Sequence, residues 1–112
     1  MKLMTKDIET KLFKHPYSSL DNIEHLEDCK IIVKYFNPYG LGTWLIVAGD
    51  KLDNGDWLLY GYCNLYEWEW GTVLYSEIAN TTVNVFGQKL HLERDMYLKK
   101  GLTIKEYMTN YK

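Results

Sequence analysis

The strongest constraint in this sequence is a run of four strand-like segments between residues 31 and 73, joined by connections too short for a crossover. Ile31-Ile32-Val33-Lys34-Tyr35-Phe36 combines β-branched and aromatic residues, which suit a pleated, half-buried surface. It ends at Asn37-Pro38-Tyr39-Gly40, a cluster of turn formers. Thr43-Trp44-Leu45-Ile46-Val47-Ala48 is a second such segment, Trp57-Leu58-Leu59-Tyr60-Gly61-Tyr62-Cys63 a third, and Glu67-Trp68-Glu69-Trp70-Gly71-Thr72-Val73 a fourth. Between the second and third, Asp53-Asn54-Gly55-Asp56 supplies residues that tolerate positive φ in a tight connection. Parallel neighbours need a dozen or more connecting residues, so the four segments pair antiparallel as a meander.

The ends read as helical. Met4, Ile8 and Leu12 recur four apart on one stripe, Thr5 suits the N-cap, and Asp7 and Glu9 precede Lys11 and Lys14 in the order the helix dipole favours. His15-Pro16 stops this helix, because the residue before proline avoids the helical region. Residues 16–28 read as a polar connection with one turn of helix around Asn22–Leu26. After the meander, Ser76 is expected to open a single turn through Ala79, and Thr82–Phe86 and Lys89–Leu92 to form short strands about Gly87. Asp95-Met96-Tyr97-Leu98 is expected to extend or edge the sheet. Thr103 and Glu106 form a capping box ahead of a last helix. The expected fold is α+β: one domain over 1–112, with a helix at about 4–14, an antiparallel meander of about four to six strands at about 30–98, and a helix at about 104–110.

Charge is distributed unevenly beneath a net value of -2. Residues 1–14 hold four Lys against Asp7 and Glu9, and residues 94–112 hold Arg94 and four Lys against Asp95 and Glu106. Residues 15–93 hold four Lys against eleven acids. An acidic sheet between basic ends is unlike a nucleic-acid module, whose cations cluster on one face. The N-terminus has no apolar signal core, and no apolar run approaches the ~18 residues of a membrane span. Neither secretion nor a membrane role is expected.

Candidate chemistry centres on the fourth segment. Alternation sends Glu67 and Glu69 to one side and Tyr66, Trp68 and Trp70 to the other. With Asp56 and Arg94, the two glutamates are a candidate constellation for a small-ligand or catalytic site. A half-exposed antiparallel sheet also explains them, with rings inward and carboxylates in water. Arg94 suits an anionic ligand or a structural carboxylate pair. Residues Asp50 to Gly61 fail as a calcium loop, because Leu52 and Gly61 fall where ligands belong. His15, His25, His91, Cys29 and Cys63 have no metal-ligand spacing, and no nucleotide or cofactor motif occurs, so no metal or cofactor is expected.

Several motifs stand in order along the chain: Gly55-Asp56-Trp57, Gly61-Tyr62, Glu69-Trp70-Gly71, Ser76-Glu77-Ile78 and Leu92-Glu93-Arg94-Asp95-Met96-Tyr97. In this the chain resembles a family of small single-domain proteins of unknown function carried by bacterial phages, plasmids and integrative elements. The resemblance covers about residues 1–98, with the capped helix as an extension. It implies a bacterial cytoplasmic accessory protein and brings no catalytic residue. Ten Tyr and four Trp are many for so short a chain, and such residues anchor interfaces. A binding module is therefore expected before an enzyme. Its surface would comprise Trp57, Tyr60, Tyr62, Tyr66, Glu67, Trp68, Glu69, Trp70 and Arg94. The partner expected is a protein with a basic surface, ahead of nucleic acid held by the basic terminal helices.

Overall fold

The computed structural model describes residues 1–110. Helix α1 (Lys6–Phe13) leads into two single 3-10 turns at Tyr17–Leu20 and Leu26–Asp28. The sheet follows: β1 (Val33–Phe36), β2 (Thr43–Lys51), β3 (Trp57–Asn64) and β4 (Trp68–Leu74). A short helix α2 (Tyr75–Asn80), a hairpin of β5 (Thr82–Val85) and β6 (Gln88–His91), a two-residue β7 (Glu93–Arg94) and helix α3 (Ile104–Asn110) complete the chain. The five-stranded antiparallel sheet runs β4-β3-β2-β1-β7, so the expected meander holds and β7 closes one edge of it.

Each sheet face carries a packed cluster. On one, Ile8 and Leu12 of α1 and Ile78 of α2 pack against Val33, Tyr35, Ile46, Trp57 and Leu59. On the other, Leu102, Ile104 and Tyr107 pack against Leu45, Val47 and Ala48. A bulge in β2 between Ile46 and Ala48 places both Val47 and Ala48 toward α3. Just beyond it, the Gly49 N–H donates to the His15 carbonyl at 3.1 Å, and Leu12 of α1 packs beside Gly49. Opposite the bulge, Gly61 lies so close to β2 that an added Cβ would stand 1.9 Å from the Leu45 carbonyl oxygen. Only glycine fits there.

Helix α1 starts as expected, with the Thr5 hydroxyl accepting from the Ile8 N–H at 3.2 Å. The Thr103–Glu106 capping box also forms, each side chain taking the other's backbone N–H at 3.0–3.1 Å. Other expectations need correction. The segment 16–28 holds two 3-10 turns, and neither spans the turn expected over Asn22–Leu26. Helix α2 is six residues long and begins at Tyr75; Ser76 lies inside its first turn, while Glu77 accepts from the Leu74 N–H at 3.0 Å. Asp95-Met96-Tyr97-Leu98 does not extend the sheet. Pairing to β1 comes from Glu93 and Arg94, and after the Asp95 N–H reaches the Lys34 carbonyl at 3.0 Å the chain leaves the sheet edge.

Candidate functional site

The register of β3 and β4 sets Tyr62 opposite Trp70, Tyr60 opposite Thr72 and Asn64 opposite Trp68, so these side chains share the face that carries α3. Cross-strand neighbours on one face approach closely enough for rings to stack. The Tyr62 ring lies 4.8 Å from Trp70 and 5.1 Å from Trp68, and Tyr60 stacks on Trp70 at 5.8 Å. Tyr17 meets Tyr60 edge-on at 4.9 Å, and Tyr107 of α3 meets Trp68 at 6.3 Å. Helix α3 and the 3-10 segment thus flank the rings without covering them, and all four remain half-buried. Asn64 Oδ1, at the end of this row, is buried without a hydrogen-bond donor among the described residues.

The other residues expected at this surface are dispersed. Trp57 is 2% exposed and belongs to the core under α1, its indole N–H donating to Glu9 at 3.2 Å. Tyr66 is 93% exposed in the β3–β4 turn, beside exposed Glu67. Glu69 is opposite Cys63, on the face away from the stacked rings. Arg94 sits on β7, four strand spacings or about 19 Å from β4. It pins the N-terminal segment by donating from Nε to the Lys2 carbonyl at 3.0 Å, in place of the carboxylate pair considered above.

Asp56 has a structural task. Its Oδ1 accepts from the N–H groups of Trp57 and Ser76 and its Oδ2 from the Ser76 hydroxyl, which joins the β2–β3 turn to the start of α2. These hydrogen bonds, the Ser76 hydroxyl first, hold its carboxyl below the usual range. Asp56 lies seven residues along β3 from the level of Glu69, about 23 Å, so Glu67, Glu69, Asp56 and Arg94 do not converge. Within its bounds α1 carries Lys6 and Lys11 against Asp7 and Glu9, and α3 carries Lys105 against Glu106. No group of three or more His, Cys, Asp or Glu side chains able to hold a metal occurs among the described residues. No helix among them is long and apolar enough to cross a membrane.

Sequence reasoning missed the edge. β4 pairs with β3 on one side, and no further strand pairs with its other side among the described residues. Its seven residues contain no Pro or Lys, the usual blocks to edge pairing, and Glu69 is its one charge. No local signal marks an edge strand, since strand order depends on where the later elements dock.

A model of the family described as protein of unknown function DUF2958 matches residues 3–111. The chain belongs to this family. The match extends past residue 98 and includes α3, so the capped helix is part of the family's domain and no extension to it. No curated protein matches, and no solved structure matches. In this DUF2958 chain the motifs that carried the resemblance resolve into structural tasks. Gly55 takes φ +88 in the β2–β3 turn, Gly61 admits the β2 backbone, Ile78 and Leu92 fill the core, and Asp95 pairs with Lys34 at 3.6 Å.

Proposed function

We propose that this chain is a small, non-catalytic accessory binding protein, of the kind mobile genetic elements carry, that engages a protein with a basic surface along β3 and β4. The observation that carries the reading is the row of four stacked, half-buried rings, Tyr60, Tyr62, Trp68 and Trp70, beside an unpaired edge strand. Half-exposed Tyr and Trp add large apolar contact at little entropic loss, which is why they dominate interface anchors. An edge strand adds backbone donors and acceptors for an extended partner segment.

Charge supports the basic partner. Asp21, Glu24, Glu27 and Asp28 are exposed on the 3-10 segment that flanks the ring face, and Glu67 and Glu69 stand at the turn and on the far face of the edge. A segment paired to β4 would alternate its side chains between the rings on one face and Glu69 on the other. That pattern favours apolar and basic residues in alternation. The neutral charge of α1 and α3 favours this reading over nucleic acid.

The test compares capture of proteins from the native host by wild type, Glu67→Lys/Glu69→Lys, Trp70→Ala and, as a distant control, Lys89→Ala. The proposal expects a partner that is lost with the first two variants and retained with the control. Identical capture by all four contradicts it.

A further inference from the structure

The basic ends of the chain meet. Arg94 binds the Lys2 carbonyl and its own N–H donates to Met1 Sδ at 3.1 Å, which draws the N-terminal segment to the β7 edge of the sheet. Beside this junction the chain leaves β1 after Asp95 and returns only where the Ile31 N–H donates to the Leu102 carbonyl at 2.8 Å. The departed loop 96–101 leaves part of the sheet edge uncovered by a strand. α1 lies on one side of the gap and the 3-10 segment on another, and between them is a cleft of about 670 Å³. That is within the size range of small-molecule sites, roughly 300–1,000 Å³.

Its lining has two chemistries. Ile8, Ile31, Val33 and Val47 supply an aliphatic floor drawn from both core clusters, with Leu20 and Leu98 at the sides. Lys11, Lys30, Arg94, Lys99 and Lys100 supply five cations against Asp7 and Asp95. Both acids are already engaged, Asp7 with Lys11 at 3.1 Å and Asp95 with Lys34 at 3.6 Å. Lys30, Lys99 and Lys100 enter no ion pair among the described residues, and no partner holds the terminal Nη groups of Arg94 there. A cationic mouth in a chain whose net charge is -2 is a concentration of charge that stability alone does not require. No Tyr, Trp or Phe lines the cleft, so its apolar wall is aliphatic.

We infer that this cleft binds a small amphiphilic anion, a medium-chain aliphatic carboxylate, with the chain on the aliphatic floor and the carboxylate among Lys30, Lys99, Lys100 and Arg94. The site lies at the β1 edge, across the sheet from β4, and shares with the protein-binding surface proposed above only the 3-10 segment.

The probe is dodecanoate titrated into the intact protein below its micelle concentration, followed by calorimetry and by amide chemical shifts. Saturable one-to-one binding is expected, with shifts confined to α1, residues 15–23, 29–33, 47 and 94–101. Each methylene removed from the chain should weaken binding about fourfold, the burial of one CH₂. Lys30→Gln/Lys99→Gln/Lys100→Gln alters exposed side chains only and should weaken dodecanoate at least tenfold with an unchanged melting temperature. Dodecyltrimethylammonium should not compete. Absence of dodecanoate binding, equal binding by the triple variant, or shifts centred on β3 and β4 overturns the inference. So does saturable binding of an oligonucleotide or of anionic vesicles at the same residues without dodecanoate binding.

Discussion

Replacing Gly61 by alanine should damage this fold more than any other single methyl addition in the sheet. The new Cβ would lie 1.9 Å from the Leu45 carbonyl oxygen, 2.7 Å from Leu45 C and 2.9 Å from Ile46 Cα. Real Cβ contacts essentially never fall below 3.0 Å, so β2 and β3 must separate by roughly 1 Å at the centre of the sheet. The obstructing atoms are backbone, and no rotamer change relieves them. Overpacking against side chains typically costs about 1–3 kcal/mol, and here the strain falls on the strand pairing itself, so a loss above ~3 kcal/mol is expected. For a domain near this size that lowers the melting temperature by more than ~10 °C. The internal control is Gly71, directly opposite Gly61 on β4, where an added Cβ meets nothing within 4 Å. Gly71→Ala should be neutral or slightly stabilising, since alanine restricts the unfolded chain. Thermal melts by circular dichroism on the two variants decide it. A Gly61→Ala protein melting within 2–3 °C of wild type (about 0.5 kcal/mol), or equal damage from Gly71→Ala, refutes the close approach at the bulge.

Three further outcomes follow from the geometry. Phe86 has φ +50 ahead of Gly87 at φ +81 in the β5–β6 turn, a backbone that asparagine tolerates better than phenylalanine, and its ring is fully exposed; Phe86→Asn should stabilise by about 0.5–1 kcal/mol in a urea melt. The Asp56 carboxyl is held below its ordinary value of 3.8 in the fold, so the stability it contributes is complete above that pH and lost as the pH falls through its lower folded value. Asp56→Asn should therefore lower the melting temperature by several degrees at pH 7, with the gap to wild type closing in acid. Burial pushes the Cys63 thiol up to about 11, so it should resist a disulfide reagent at neutral pH until the protein is unfolded; rapid labelling of native Cys63 would contradict that environment.

Much of the fold was legible because it is local. The meander follows from β-rich segments and turn residues such as Asn54-Gly55, and both terminal helices are marked by caps, Thr5 and the Thr103–Glu106 box, that form as the residue types dictate. What local pattern does not carry is docking. Trp57 has the same character as Trp68 and Trp70, yet it projects to the face under α1 and is buried there, while the others, on the α3 face, stay half-exposed. Asp56 and Glu69 look alike as chain acids, but one caps α2 and the other stands free on an edge strand. The separation of basic ends from an acidic middle was visible, whereas their meeting around one cleft depends on β7 pairing for only two residues. The free β4 edge likewise depends on the route taken by α2 and the β5–β6 hairpin.

The most direct test of the binding role is a photo-crosslinking amino acid at position 66, where the native Tyr66 is 93% exposed in the turn ahead of β4, expressed in the native host. The account predicts one dominant crosslinked protein with a basic surface, lost on Glu67→Lys/Glu69→Lys and absent when the crosslinker is moved to position 89 on the far hairpin. No crosslink at 66, or the same protein caught equally from 89, contradicts it.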